Sequence, residues 1–166
     1  MAKTDRRETR ESDPRSEELR VAFGRRCREA RIKRGLSQHE VAAVSGITQA
    51  NIAKIERGQK NITLETMMRF LRVVDRALAR RLRGDLKARF AENLRSARTA
   101  AGWSQTQLSE RAGVPSQYIS LIESGKANLK LETVATMARA VGQDPNRLLE
   151  GVFDTRAPDE GESAEA

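Results

Sequence analysis

Cysteine, histidine and aromatic residues are scarce in this chain, which has one cysteine, one histidine and 4% aromatics among its 166 residues. A single cysteine excludes an internal disulfide, and the helical spacing of Cys27 from Phe23 and Ala30 predicts a small core residue. His39 falls on the polar side of a predicted helix, and no cysteine or carboxylate cluster has metal-ligand spacing. The sequence also has no phosphate-binding glycine loop and no nucleophile with its base, so we expect neither an enzyme nor a cofactor.

Long apolar runs are missing too. No run approaches the roughly 20 residues that cross a membrane, and the charged N-terminus lacks the apolar stretch of a signal peptide. Charge, in contrast, is plentiful, since 33% of the residues are charged and the formal net charge is +8. This composition is typical of a soluble helical protein with an anionic partner, and we expect no membrane contact and a cytoplasmic location.

Residues 37–58, SQHEVAAVSGITQANIAKIERG, predict two short helices joined by a tight turn. Ser37 begins a capping-box pattern that starts the first helix, and Gly46 ends it because a sharp turn out of a helix favours positive φ. Thr48 can cap the second helix. Nearly the same pattern recurs with an offset of 67 at residues 104–125, so the chain is predicted to hold two domains.

The second helix of this motif has two different faces. Ile52 and Ile55 point back at the first helix. The opposite face carries Ala50, Ala53, Lys54 and Arg57, flanked by Gln49 and Asn51. Amides, small side chains and cations on an outward face suit the floor of a DNA major groove bordered by phosphates.

These residues resemble the helix-turn-helix family of phage repressors and Cro, also called Xre-like. The first copy matches through Gln38, Val41, Ala42, Ser45, Gly46, Ile47, Ile52, Ile55, Glu56 and Gly58. The second matches through Gln105, Leu108, Ala112, Gly113, Val114, Ile119, Ile122, Glu123 and Gly125, and departs at Ser109, where the family usually has alanine. The resemblance implies an all-α fold of two tandem lambda-repressor-like domains, each with four to five helices.

The resemblance also implies which residues meet DNA. In repeat one it places Gln38 and the helix start at Thr48 on the phosphate backbone, Asn51 and Arg57 nearer phosphate, and three residues toward bases, namely Gln49, Ala50 and Lys54. The corresponding residues of repeat two are Gln105, Ser116, Gln117, Tyr118, Leu121 and Ser124. Leu121 replaces the cation and could only make apolar contact, for instance with a thymine methyl, which puts base reading by repeat two in question. Two structural ion pairs are implied as well, Arg31 with Glu56 and Arg98 with Glu123.

Composition and the repeat divide the chain into four segments. They are a disordered arm at 1–16, a first domain with a helical linker at 17–83, a second domain at 84–153, and an acidic disordered tail at 154–166. Good helix formers from Asp75 to Gly84 predict that the fourth helix continues into the linker, so that repeat one lacks a separate fifth helix. Gly84 and Asp85 are expected to end one helix and cap the next, and Asp144 with Pro145 begins an extra helix in repeat two.

Two details of this layout concern side chains. Trp103 and Tyr118 lie at element ends, where we favour packing over base stacking. The arginines around the joint, residues 76–89, fit either a solvated face or a phosphate contact, and the sequence leaves both open.

The repeats differ in charge. From Phe23 to Val73, eleven lysines and arginines oppose four acidic residues, a net charge of +7. From Phe90 to Gly151, seven oppose six, a net charge of +1. Because phosphate neutralisation supplies much of DNA affinity, repeat one is expected to dominate binding, while repeat two refines specificity or holds a partner.

The leading hypothesis is a sequence-specific, double-stranded DNA-binding transcriptional regulator of a bacterium, phage or mobile element, located at the nucleoid. The alternative is an antitoxin-like or antiactivator protein that acts mainly through a protein partner, held by the second domain. We expect a homodimer on an inverted repeat, because one reading helix covers few base pairs. A competing arrangement has one chain supply both half-sites, and the candidate seam of Leu71, Val74, Leu78 and Leu82 could equally pack against repeat two.

Overall fold

Ten helices make up the described part of the computed structural model, which covers residues 14–82 and 86–149. Repeat one contains α1 (Pro14–Lys33), α2 (Gln38–Ser45), α3 (Gln49–Glu56), α4 (Leu64–Val74) and α5 (Arg76–Arg81). Repeat two contains α6 (Leu86–Ala100), α7 (Gln105–Ala112), α8 (Ser116–Glu123), α9 (Leu131–Ala140) and α10 (Pro145–Leu148). The predicted all-α fold of two tandem domains is confirmed. None of the described helices is long and apolar enough to span a membrane.

Local capping signals set the ends of the short helices. The Ser37 hydroxyl accepts from the Glu40 amide at 3.2 Å, and the Glu40 carboxylate accepts from the Ser37 amide at 2.7 Å. Ser104 and Gln107 make the same reciprocal pair at the start of α7. The predicted caps at Thr48 and Asp144 are also present, and Thr63 caps α4. Each accepts from a backbone amide two or three residues further along the chain. Each cap satisfies an amide that the first turn of a helix leaves unpaired.

The first helix begins at Pro14, three residues before the predicted start of the domain at residue 17. Ser16 is fully buried in that extra turn, and its hydroxyl accepts a hydrogen bond from Arg20 Nη1 at 3.1 Å. The remainder of the predicted arm, the acidic tail at 154–166, and the predicted helix boundary at Gly84 and Asp85 lie outside the described residues.

The fourth helix does not continue into the linker, and the prediction that repeat one lacks a separate fifth helix is wrong. Asp75 leaves helical geometry with φ −137° and ψ 77°, and its Oδ1 caps α5 by accepting from the Leu78 amide at 2.9 Å. Arg26 on α1 donates to the other carboxylate oxygen at 3.0 Å. An aspartate side chain competes for backbone amides, and here a cation from another helix fixes the carboxylate in its capping position.

The buried side chains of both repeats form one continuous hydrophobic core. Phe23 and Phe70 meet edge to face, with ring centroids 6.4 Å apart, and Phe90 lies at the position of Phe23 in the second repeat. The four residues of the candidate inter-chain seam are no more than 4% exposed, namely Leu71, Val74, Leu78 and Leu82. They pack within this chain, so the assignment of an inter-chain seam to them is wrong.

The two repeats join at the segments that follow α3 and α8. Thr63 and Lys130 form an isolated antiparallel bridge, and α1 packs against α9 of the other repeat. This junction fixes the position of one helix-turn-helix relative to the other.

Candidate nucleic-acid interface

Helices α3 and α8 are the second helices of the two motifs and are called the reading helices below. In repeat one, α3 presents the side chains that the sequence predicts to contact DNA. Ile52 and Ile55 are buried on its inner face, with no more than 2% of either residue exposed. On the outer face Asn51 is half-buried, and the exposed residues are Thr48, Gln49, Ala50, Lys54 and Arg57. The structure therefore brings these predicted residues of repeat one onto one accessible surface, with Gln38 at the start of the neighbouring helix α2.

A buried carboxylate ties the three helices of this surface together. Glu56 accepts from Arg31 Nε at 2.6 Å and Nη2 at 2.9 Å, which is the predicted ion pair in bidentate form. Gln38 Nε2 donates to the same carboxylate at 2.9 Å, and Arg31 Nη1 reaches the Leu36 carbonyl at 2.8 Å. A buried charge is tolerated when it is paired and hydrogen-bonded in this way. The network holds the Gln38 amide in place at the N-terminus of α2.

Repeat two repeats the network atom for atom. Arg98 Nε and Nη2 donate to Glu123 at 2.6 and 2.9 Å, and Gln105 Nε2 donates at 2.9 Å. Burial alone would raise the pKa of Glu123, but hydrogen bonds from Arg98 and Gln105 and the nearby charges of Arg98 and Arg95 lower it below the usual value. The hydrogen bonds that Arg98 donates to Glu123 in turn raise the pKa of Arg98. The second predicted ion pair is therefore present, and its carboxylate is held ionised.

The turn between α2 and α3 has an additional support that sequence reasoning missed. The Arg69 guanidinium on α4 donates to the Ser45 carbonyl at 3.1 Å from Nε and 2.8 Å from Nη2, at the C-terminus of α2. A cation suits this end of a helix, where carbonyl groups are left without partners. Repeat two has Thr136 at the equivalent position, and its hydroxyl bonds within α9 instead. The only sequence signal for this contact was an arginine among the core residues of α4.

Lys60 is a second residue that sequence reasoning missed. Its ammonium group donates to Asn51 Oδ1 at 2.7 Å, which brings a cation from the loop after α3 beside the reading helix. With Lys54 and Arg57 it forms a series of cations spaced by three residues. The equivalent residues of repeat two are all uncharged, namely Leu121, Ser124 and Ala127.

Helix α8 offers a more apolar surface than α3. Ser116, Tyr118 and Gln105 are half-buried, whereas Gln117, Leu121 and Ser124 are exposed. Leu121 is 47% exposed, so α8 presents an apolar side chain at the position of Lys54. Pro115 precedes the helix without a side-chain cap. The predicted residues of repeat two therefore lie on α8, at its C-cap Ser124 and at the start of α7, but none of them offers a cation to a phosphate.

The two large polar aromatics pack as the sequence predicts. Trp103 and Tyr118 are partly buried against the core, and the Arg111 guanidinium lies 4.0 Å from the centre of the Trp103 ring. This cation–π contact occupies one face of the indole.

The described residues contain no group of three histidine, cysteine or acidic side chains that could hold a metal ion. Cys27 is buried, and burial raises the pKa of its thiol well above the usual value. A thiol in that state is a packing group, because the thiolate is the reactive form.

Comparison with known proteins gives a family match in both repeats. A family model described as Helix-turn-helix matches residues 28–80 and 94–148. A Neisseria hypothetical transcription factor of Neisseria meningitidis serogroup B is 37% identical over 65 residues, which cover 39% of this chain and 61% of that protein. An uncharacterized HTH-type transcriptional regulator of Haemophilus influenzae is 36% identical over 69 residues, covering 42% and 70% respectively.

A third relative is the control protein C.SmaI of Serratia marcescens, which is 37% identical over 65 residues that cover 39% of this chain and 77% of that protein. The aligned lengths are close to the 67-residue offset between the repeats, so each of these relatives aligns over about one repeat. No solved structure matches the chain significantly.

Proposed function

Because the chain belongs to the helix-turn-helix family, whose model matches both of its repeats, we propose that it is a sequence-specific transcriptional regulator that binds double-stranded DNA in a bacterium, phage or mobile element. Family and relatives point to a DNA-binding regulator of transcription and not to an enzyme. The proposal places its action at the nucleoid, in the cytoplasm.

The outer face of α3 is the observation that carries this proposal. Gln49 and Lys54 are exposed donors on either side of the small Ala50, so the helix backbone can approach the base edges. Gln38 is fixed by Glu56 at the N-terminus of α2, where backbone amides are also available to a phosphate. A helix with these groups can lie in a major groove while the flanking residues contact the backbone.

The phosphate contacts of repeat one follow from the same arrangement. The Asn51 oxygen is occupied by Lys60, which leaves the Asn51 Nδ2 group as the donor toward phosphate. Arg57 and Thr48 are exposed at opposite ends of α3, and Lys60 adds a cation beside them. Gln105, Ser116, Gln117, Tyr118, Leu121 and Ser124 would make the equivalent approach from repeat two with less electrostatic attraction.

A salt titration tests the proposal. The full chain is titrated onto a labelled random-sequence duplex, and the logarithm of the affinity is followed against the logarithm of salt concentration. The expected slope is about −0.9 for each phosphate neutralised, and Lys60→Ala should make it shallower by about one unit. Binding that does not weaken with salt, or no binding to any duplex, would contradict a DNA-binding function.

The exposed Leu121 supports a second candidate function. An apolar residue in place of the reading-helix cation suits a protein partner better than a phosphate, so the second domain could serve an antitoxin-like or antiactivator role. With that function, Leu121→Ser would weaken capture of a partner and leave the DNA affinity unchanged. The same variant would alter DNA discrimination if Leu121 contacts a thymine methyl.

Two half-sites need two reading helices, which either a homodimer or one chain can supply. The homodimer expected from the sequence is one of these two arrangements. Burial of Leu71, Val74, Leu78 and Leu82 within the chain removes the surface that the sequence assigned to the homodimer.

A further inference from the structure

The two repeats meet through the same short segment of each, residues 62–64 and 129–131. The Leu64 amide donates to the Leu129 carbonyl at 2.8 Å, and the Leu131 amide donates to the Ile62 carbonyl at 3.0 Å. The offset of 67 relates Ile62 to Leu129 and Leu64 to Leu131. Each hydrogen bond is therefore the equivalent of the other with the repeats exchanged, which is the pattern of the self-complementary contact in a two-fold dimer.

The side-chain hydrogen bonds on both flanks of these segments are also equivalent when the two repeats are interchanged. Asn61 Nδ2 donates to Glu132 Oε2 at 2.8 Å, and Asn128 Nδ2 donates to Glu65 Oε2 at 3.1 Å. Asn61 and Asn128 are equivalent positions, as are Glu65 and Glu132. At these segments the contact is thus reciprocal in its side chains as well as in its backbone, whereas the packing of α1 against α9 has no comparable counterpart between α6 and α4.

Apolar residues seal the centre of this contact. Ile62, Leu64, Leu129 and Leu131 are no more than 3% exposed. They belong to the core that runs through both repeats, and α1 packs against α9 beside them. The junction therefore has a buried apolar centre and hydrogen-bonded flanks, as a permanent subunit interface does.

We propose that one chain carries both halves of the DNA-binding unit and occupies a complete two-half-site operator alone, without a second copy. This inference rests on the proposed function, since it assigns the partner and stoichiometry of the same reading surfaces.

The reach of the chain is compatible with adjacent half-sites. An extended backbone spans about 3.5 Å per residue, so the path from Glu56 at the end of α3 to Ile62 reaches at most about 20 Å. The path from Glu123 to Leu129 has the same length. The ends of the two reading helices therefore lie within roughly 50 Å, a range that includes the separation of about 34 Å between half-sites one helical turn apart.

The two halves read DNA differently. Gln49, Ala50 and Lys54 of α3 correspond to Ser116, Gln117 and Leu121 of α8. A homodimer would present one of these sets twice and would favour an inverted repeat. A single chain presents both sets once, so its operator consists of two dissimilar half-sites and the chain binds it in one orientation.

The mass of the free and DNA-bound protein is the first test. Light scattering should give the single-chain mass of 18.5 kDa for the free protein and one chain for each duplex in the complex. The duplex is taken from a random library of about four helical turns, or roughly 40 base pairs, selected on the full chain. Two chains on one duplex would overturn this inference and leave the proposed function standing. Failure to select any duplex would overturn both.

The second test assigns each half of the operator to one repeat by alanine substitution. Alanine at Gln49 and Lys54 should abolish discrimination in one half of the selected operator, and alanine at Gln117 and Leu121 should abolish it in the other. The expected loss is on the order of tenfold or more for each base-specific interaction that the substitution removes. Equal loss in both halves from the repeat-one variant, with none from the repeat-two variant, would show two copies of repeat one on the DNA and overturn the inference.

A variant of the junction between the repeats is the third test. Asn61→Ala with Asn128→Ala removes both reciprocal flanking bonds and should weaken binding to the two-half-site duplex by about tenfold, while binding to a single half-site is unchanged. Asn93→Ala is the matched control, because Asn93 Nδ2 donates to the Leu148 carbonyl at 3.1 Å within repeat two. An equal effect of the control and the junction variant on the two-site affinity would contradict the assigned role of the junction.

Discussion

At the scale of single residues, Gly24 marks a close approach between α1 and α3. A Cβ atom at this position would lie 2.3 Å from the Ile55 carbonyl oxygen and 2.9 Å from that of Glu56. We expect Gly24→Ala to destabilise the fold by about 1 to 3 kcal/mol through overpacking, although alanine is the better helix former. Denaturant unfolding measures the change.

The equivalent residue in repeat two provides the control for Gly24. Ala91 occupies the matching position of α6 and is already accommodated there. Ala91→Gly should cost about 1 kcal/mol through helix propensity, with a further loss from the buried methyl group that it removes. A Gly24→Ala variant that is as stable as the wild type would show that α1 can move away from α3 at no energetic cost.

Glu123 predicts a dependence of stability on pH. Its pKa is lowered in the folded state, so the ionised carboxylate stabilises the fold above the unfolded pKa of about 4.3. That contribution is lost as the pH falls from this value through the folded pKa. The denaturant midpoint of the wild type should therefore drop over this acidic range, and Glu123→Gln should show a smaller drop from a lower starting stability.

Glu110→Gln is the comparison for this pH experiment. Glu110 is exposed on α7, so its replacement should leave the acid-dependent loss intact. If Glu123→Gln and the wild type lost stability in parallel below a pH of about 4.3, the ion pair of Glu123 with Arg98 would not be the source of the pH dependence.

At the scale of elements, the glycines in the turns of the two motifs allow the cost of left-handed backbone geometry to be compared with the cost of a side-chain clash. Gly46 and Gly113 both have φ +66°. A Cβ at Gly46 would lie 2.7 Å from Arg69 Nη2, whereas Gly113 has no atom within 4 Å of that position. Gly113→Val should cost about 1 to 2 kcal/mol from left-handed geometry, and Gly46→Val should cost more because Arg69 must also move. Thermal melting of the two variants gives the comparison, and equal losses would remove Arg69 from the explanation.

The two reading helices should contribute unequally to DNA affinity. Alanine at Gln49 and Lys54 should cost about 1 to 3 kcal/mol for each base-specific interaction that it removes. Alanine at Ser116 and Gln117 should cost less, because repeat two has no cation at the positions equivalent to Lys54, Arg57 and Lys60. Binding to one operator at fixed salt ranks the two variants. A larger decrease in affinity for the repeat-two variant would reverse the order.

Elements with local signals could be predicted from the sequence, and elements set by distant contacts could not. Ser37, Thr48 and Gly46 lie within a few residues of the amides and turns that they govern, so their roles are readable from spacing. The break at Asp75 depends on Arg26, which lies 49 residues away. Helix propensity alone favoured continuation there, and tertiary pairing prevailed.

The candidate site divides in the same way. Exposure of Gln49, Ala50 and Lys54 follows from helical periodicity, and both Arg–Glu pairs followed from the family resemblance. The contacts of Arg69 with Ser45 and of Lys60 with Asn51 depend on how α4 and the loop after α3 pack, which periodicity does not encode. The DNA contacts of all these residues remain predictions.

At the scale of the whole molecule, the continuous core predicts cooperative unfolding. The chain has one tryptophan, Trp103 in repeat two, and one cysteine, Cys27 buried in repeat one. Trp103 fluorescence and labelling of the Cys27 thiol therefore report on different repeats. We expect the two transitions to coincide, which is the mark of two-state unfolding.

Leu131→Ala tests whether the junction couples the repeats. Leu131 is fully buried between them, and its truncation should cost about 2 to 5 kcal/mol. The variant should lower both midpoints together. A Trp103 transition shifted to low denaturant with an unchanged Cys27 transition would mean that repeat one folds without its neighbour.

The pairing of residues 62–64 with 129–131 within one chain also determines how the protein behaves at low concentration. Two separate molecules dissociate as they are diluted, whereas tethered halves keep an effective concentration set by the connection between them, of order millimolar for a short flexible one. In a cell with only a few copies of this protein, each molecule would still have its two DNA-reading helices joined. Occupancy of a target would then rise in direct proportion to copy number, where a weakly dimerising regulator responds to its square.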